Sequence, residues 1–220
     1  MQEEIFEKGE VTMKKILFTG FEPFGGEIVN PSREAIMALP TEIDGIKIIT
    51  AELPAVFGKS TTKLYDLLDN HQPCAVICIG QAAGRTAINI ERVAINCDDA
   101  PMADNEGNLP TDQKVAKDGP AAYFATLPIK AMVQNMKDAG IPAVISDTAG
   151  TYVCNHLMYN ALHYATTRGV PMLAGFVHIP YLPEQTVNKP SAPSMPMELV
   201  VKGLMSMVRT LGKKPYQKLC

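Results

Sequence analysis

Short apolar runs alternate with amphipathic stretches along almost the whole chain. Lys14-Lys-Ile-Leu-Phe-Thr-Gly20, Ile46 to Leu53, Ala75 to Ile79, Ala143-Val-Ile145 and Met172 to Ile179 each read as a strand with a buried apolar centre. Between these runs the spacing becomes helical. Asn30-Pro31-Ser32 opens a short helix, Arg33 to Leu39, which Pro40 stops. Val56 to Asn70 turns Leu64, Leu67 and Leu68 inward, and Pro128 to Ala139 does the same with Ile129, Met132, Val133 and Met136. Leu157, Met158, Ala161, Leu162 and Ala165 mark another helix, and Glu198 to Leu211 forms the last. Residues 87–97 alternate like a half-buried strand or hairpin, and residues 180–196 are proline-rich and extended. Asp98 to Lys117 is a polar connection of a length usually reserved for function or mobility. The alternation predicts one three-layer α/β/α domain with a mostly parallel twisted sheet over residues 13–220, and residues 1–12 as an acidic extension.

Composition narrows the function. The 220 residues carry a net charge of −3 with no basic face or tail, which argues against nucleic acid. No apolar run approaches membrane-spanning length, and no secretory leader opens the sequence. Five cysteines in no framework spacing point to a reduced, cytoplasmic protein. Cys74 and Cys78, inside an apolar run, read as small hydrophobes rather than metal ligands.

The chemistry concentrates in Ser146 to Tyr159. A short strand precedes it and a helix follows. Gly150 suits a positive φ, and Thr151 suits an N-cap. Cys154 then falls in the first helical turn, where free backbone N–H groups and the helix dipole favour an anion. A lowered thiol pKa and an oxyanion site are the expectations. Against this stands the frequency of buried, inert cysteine. A nucleophilic cysteine needs a base within reach. Of the four histidines, His71 ends a helix, His156 is too near Cys154 in sequence to face it, and His163 lies over two turns away. His178, in the strand Gly175-Phe-Val-His-Ile179, is the remaining candidate. A carboxylate should orient that imidazole. Glu91 competes here with Asp104 and Glu106; on the residues alone the preferred reading of Glu91 is a solvent-facing residue or an ion-pair partner of Arg92, and Asp104 and Glu106 also read as a solvated turn.

Six motifs in order carry a resemblance: Thr19-Gly-Phe-Glu-Pro-Phe-Gly-Gly26 with Asn30-Pro-Ser32, Gly80-Gln81, Glu91-Arg-Val-Ala-Ile-Asn96, Asp104-Asn-Glu-Gly107, Thr148-Ala-Gly-Thr-Tyr-Val-Cys-Asn-His156, and Gly175-Phe-Val-His-Ile-Pro180 with Pro183-Glu-Gln185. The chain resembles the pyroglutamyl peptidase I family of cysteine peptidases from about Lys14 to the last helix. The resemblance implies a catalytic set of Glu91, Cys154 and His178, with Asp104 in support. It implies aromatic walls from Phe21 and Phe24 for the pyroglutamyl ring, and further site residues at Asn30, Gln81, Tyr152 and Val153. It also implies peptide substrates with an N-terminal pyroglutamate, no metal or other cofactor, and a homo-oligomer, tetramer or dimer. Two departures stand out: Tyr152 where the family often has Phe, and Pro101-Met102 where many members have Arg-Ile. The rival readings are a non-catalytic pyroglutamyl-binding module, a cysteine hydrolase of small amides, and a nucleoside phosphorylase-like enzyme of similar architecture.

Overall fold

The computed structural model describes residues 14–213. The expected extension, residues 1–12, and Cys220 lie outside the described residues. Strand β1 (Lys15–Phe21) leads into α1 (Pro31–Met37), and β2 (Glu42–Ile43) turns tightly into β3 (Ile46–Leu53). Helix α2 (Lys59–His71), β4 (Ala75–Gln81) and β5 (Ile88–Glu91) follow. A small second sheet pairs β6 (Val93–Ile95) with β7 (Ala122–Phe124). Then come α3 (Ile129–Asp138), β8 (Ala143–Ser146), α4 (Val153–Arg168), β9 (Leu173–Ile179), the single turn α5 (Pro183–Thr186) and α6 (Met197–Gly212).

The main sheet has the order β2-β3-β1-β4-β9-β5-β8. Its centre, β3, β1, β4 and β9, is parallel. β2 closes one edge antiparallel, and β5 joins β9 antiparallel with β8 following the direction of β5. The α/β class and mostly parallel sheet agree with the alternation in the sequence. One direction does not. β8, the strand before the Cys154 turn, runs against β1, β4 and β9, so its carboxyl end is not at their carboxyl edge. Residues 147–152 carry the chain back to that edge.

Alternating strand residues feed two cores. Ala75, Ile77 and Ile79 of β4 pack with Ile36 of α1, Met132 of α3 and Leu204 of α6. Val76 and Cys78 face the other way, with Leu64 of α2 and Leu157 and Leu162 of α4. Fully burying each such Leu or Ile contributes about 1.5–3 kcal/mol. Several local expectations shift. Gly58, at φ 70°, breaks the chain before α2, which starts at Lys59 rather than Val56. Residues 87–97 divide at Arg92 into strands of two different sheets. The segment 180–196, expected to be extended, contains α5. Cys74 is disulfide-bonded rather than a plain small hydrophobe.

Candidate active site

Three neighbouring strands bring the polar residues together. Gly80 of β4 lies beside His178 of β9, and His178 lies opposite Asn89 of β5. Glu91 is two residues further along β5, so it shares the face of Asn89 and His178. Its Oε1 is 2.8 Å from His178 Nδ1. Glu91 is fully buried and His178 is 5% exposed. A carboxylate oxygen only accepts, so Nδ1 carries the hydrogen and Nε2 is left for the cavity. Behind the pair, Arg85 Nη1 donates to Asn89 Oδ1 at 3.2 Å, and Arg85 Nη2 lies 4.0 Å from Glu91 Oε1. Glu91 Oε2 is buried without a hydrogen-bond partner among the described residues.

Cys154 is the second residue of α4. Gly150, at φ 76°, makes the preceding turn. Thr151, expected as the N-cap, instead donates its hydroxyl to Asp99 O at 2.7 Å, and Tyr152 occupies the cap position without a side-chain cap bond. The amides of the first turn therefore keep their hydrogens for an anion. The sulfur sits over the backbone of Gly80. A Cβ there would lie 2.9 Å from both Cys154 Sγ and Phe176 Cζ, so only glycine admits the thiol at this place. The expected low thiol pKa is not found. Burial pushes the Cys154 thiol up to about 12, and the charge of Glu91 and the thiol of Cys78 act in the same direction. The sulfur packs over Gly80 beside the Phe176 ring, and the desolvation there outweighs the helix start.

Cys154 and His178 line one cavity of about 340 Å³ together with Phe24, Gln81 and Tyr152. Glu27, Met102 and Tyr181 also reach it, and none of these three is among the site residues expected from the sequence. Glu27 and Tyr181 gave no residue-type signal; Met102 was visible only as a departure from a family pattern. Burial raises Asp104, but bonds from the Asn108 side chain and from the N–H groups of Phe57, Glu106 and Asn108 hold its carboxyl below the usual range. Asp104 thus organises its own loop and does not line the cavity. Phe21 is buried beneath the site, 6.4 Å from the Phe176 ring, and Val153 packs into the α4 core. A larger depression, about 540 Å³, lies by Leu68, Tyr164 and Met172. Its carboxylate, Asp69, is engaged by Tyr164 and Arg168.

Asn30 spends its side chain on the fold. Its Oδ1 accepts from Ser32 N at 3.0 Å and Ser32 Oγ at 2.8 Å, and its Nδ2 donates to Glu22 O at 2.9 Å. Asn30→Ala should destabilise the protein by about 1–3 kcal/mol in a denaturant titration. A rise in KM with unchanged stability would instead make Asn30 a substrate ligand.

Tyr152 stands between Phe24, at 6.2 Å, and the edge of Phe57, at 5.4 Å. Its hydroxyl donates to Ala103 O at 3.2 Å. The departure from Phe therefore arrives with its own acceptor, on the loop that carries Pro101-Met102. Tyr152→Phe keeps the ring wall, so kcat/KM should stay within about threefold while stability falls by about 1 kcal/mol. A tenfold or greater change in kcat/KM would show that the hydroxyl handles substrate. Beneath this wall lies a second buried pair, absent from the sequence reading. His156 Nδ1 is 2.8 Å from Asp98 Oδ2, and its Nε2 accepts from Gly58 N at 3.3 Å. That pair fixes the imidazole on which the Phe57 ring packs edge-on, 5.4 Å away.

Residues 14–214 match the family model described as Pyroglutamyl peptidase. The chain belongs to the pyroglutamyl peptidase family. It is 55% identical over 194 residues to the pyrrolidone-carboxylate peptidase of Treponema denticola, covering 86% of this chain and 89% of the relative. It is 58% identical over 190 residues to the enzyme of the same name from Alkaliphilus oremlandii, with the same coverage of 86% and 89%. The crystal structure of pyroglutamyl peptidase I from Bacillus amyloliquefaciens superposes with a TM-score of 0.86 at 47% identity, over 90% of this chain and 96% of that one. Within this pyroglutamyl peptidase, Gly80, Glu91, Cys154 and His178 come from three strands and one helix start, far apart in sequence.

Proposed function

We propose that the protein removes an N-terminal pyroglutamyl residue from peptides, with Cys154 as nucleophile, His178 as base and acid, and Glu91 as its orienter. The observation that carries this is the Cys154 thiol at an uncapped helix start, sharing a cavity with His178, whose Nδ1 is bound to buried Glu91. His178 Nε2 takes the thiol proton as sulfur attacks the pyroglutamyl carbonyl. The first N–H groups of α4 receive the oxyanion. His178 then protonates the leaving amine, and water activated by the same nitrogen hydrolyses the thioester. The raised thiol pKa makes proton transfer to His178 part of the attack.

Pyroglutamate has no charged amine to anchor. Its neutral lactam needs apolar walls, which Phe24, Tyr152 and Met102 supply, and a donor and acceptor for its C=O and N–H. Phe21 acts one layer below by supporting Phe176, and Asp104, Asn30 and Val153 hold the loops and the helix start. Cys78, Cys97 and Cys154 are free thiols, as in a cytoplasmic protein, while the Cys74 disulfide departs from the fully reduced expectation. Among the described residues no helix is long and apolar enough to cross a membrane. The alternation along the sequence supports reading residues 13–220 as one peptidase domain and residues 1–12 as an extension. Exposed Ile28, Phe124 and Val187 offer apolar surface for a homo-oligomer, tetramer or dimer.

The test is hydrolysis of a pyroglutamyl aminocoumarin amide beside its prolyl analogue. Cleavage of the first alone supports the reading. Absence of turnover by the reduced protein favours a binding module, and equal cleavage of simple amides favours a general amide hydrolase.

A further inference from the structure

The polar corner of the cavity is a chain of amides whose direction can be read. Leu182 N donates to Gln185 Oε1 at 3.0 Å. A backbone N–H can only donate, which fixes the oxygen end of the Gln185 amide. Its NH2 end then points at Gln81 Oε1, 3.0 Å away, and at Glu27 Oε2 and Val29 O, each 3.4 Å away. All three are acceptors, so the assignment is consistent at every contact. Glu27 is held anionic there by its bond to Lys189, which keeps its carboxyl below the usual range. Gln81 Oε1 is thus occupied, and the hydrogen bonds of the described residues use its oxygen but not its Nε2. Gln81 is the last residue of β4 and lines the same cavity as Cys154 and His178.

We propose that Gln185 is a positioning residue that locks Gln81 with its NH2 toward the cavity, where it donates to the ring carbonyl of the substrate. The proposal rests on the pyroglutamyl reading above and gives it a polarity. A free glutamine presents either end, and its oxygen would repel a lactam carbonyl. A glutamine fixed as a donor accepts the lactam and rejects a proline ring, which would leave that donor buried and unpaired. Gln185 touches no substrate in this scheme and acts through Gln81.

The experiment compares kcat and KM for a 5-oxoprolyl amide and its 5-thioxoprolyl analogue, whose sulfur is the weaker acceptor. It uses the full-length protein, Gln185→Met and Gln81→Glu. Alkylation of Cys154 by iodoacetamide, which needs no ring, reports an intact thiol site. The wild type should prefer the oxo ring. Gln185→Met should lose roughly tenfold in kcat/KM on the oxo substrate, mostly through KM. In Gln81→Glu the bond from Gln185 survives while the cavity-facing donor is gone, and the loss should reach roughly a hundredfold. In both, the oxo-to-thioxo ratio should fall toward one, while alkylation of Gln185→Met stays within about twofold. A ratio held at its wild-type value in either variant, with alkylation intact, overturns the proposal and makes Gln185 a loop fastener. A loss confined to kcat, at constant ratio, also overturns it, because Gln81 would then serve the scissile carbonyl. Wild-type protein that alkylates but cleaves neither substrate removes the pyroglutamyl reading itself. If Gln185→Met does not fold, Gln185→Glu decides by the same readouts, since it keeps the oxygen that accepts from Leu182 N and removes the donor to Gln81.

Discussion

Cys154→Ala should reduce turnover of a pyroglutamyl amide by at least about a thousandfold while leaving the fold intact. The size follows from the loss of the only sulfur in the cavity besides the thioether of Met102. Without a nucleophile the helix-start amides and the ring pocket can still bind and polarise the carbonyl, so a small residual rate over water is expected. Stability should change little. Alanine keeps the Cβ, and removing a sulfur that packs on Gly80 and Phe176 costs about 1 kcal/mol or less against a gain in helix propensity. Substrate affinity should survive, measurable by equilibrium binding of an uncleaved pyroglutamyl peptide. Turnover within tenfold of wild type would remove Cys154 from the chemistry, whatever the fold.

Glu91→Gln should be the more informative variant. The amide keeps the shape of the carboxylate but can donate to His178 Nδ1, which moves the imidazole hydrogen to Nε2. That is the nitrogen facing the cavity, so the base loses its lone pair there. Loss of a comparable orienting charge typically costs about 10⁴ in kcat, and about 10³–10⁴ is expected here with KM little changed. Two further readouts separate this role from a structural one. The Glu91 charge helps raise the Cys154 thiol, so the variant thiol should titrate below that of the wild type even as the enzyme slows. Neutralising a fully buried carboxylate with one oxygen unpartnered should also leave the melting temperature unchanged or higher. A lower melting temperature with activity retained would make Glu91 a core fastener and reopen the search for the orienting group.

The strand runs were legible because each has an apolar centre, buried throughout in β4 and β9, and the sheet type followed from alternation. Strand direction was not. The pattern Ala143-Val144-Ile145 encodes burial, and nothing in it says that β8 opposes β9. The two-residue β2 and three-residue β7 are too short to show a period. In the site, residue chemistry alone reached Cys154 and His178, since only a thiol, an imidazole and their spacing were needed. Glu91 required the family resemblance, because a carboxylate in an alternating strand looks solvated until its face is known. Phe21 and Phe24 looked alike in one motif. Phe21 is the last strand residue and points into the core, while Phe24, in the loop, reaches the cavity. The thiol pKa was misjudged because helix position is local information and desolvation is not. The Gln81–Gln185 bond spans 104 positions of chain, which no local rule connects.

The antiparallel entry of β5 beside β9 gives the enzyme an internal gauge of correct folding. Glu91 reaches His178 only in the register that sets Asn89 against His178 and Ile90 against Val177. Slipping β5 by one residue would turn Glu91 to the opposite face and present Ile90 to the imidazole, while the apolar content of the sheet stayed the same. A slipped species would be compact, rich in secondary structure and inactive. During refolding, recovery of peptidase activity therefore times the locking of this one strand pair, and it should lag behind collapse measured by circular dichroism.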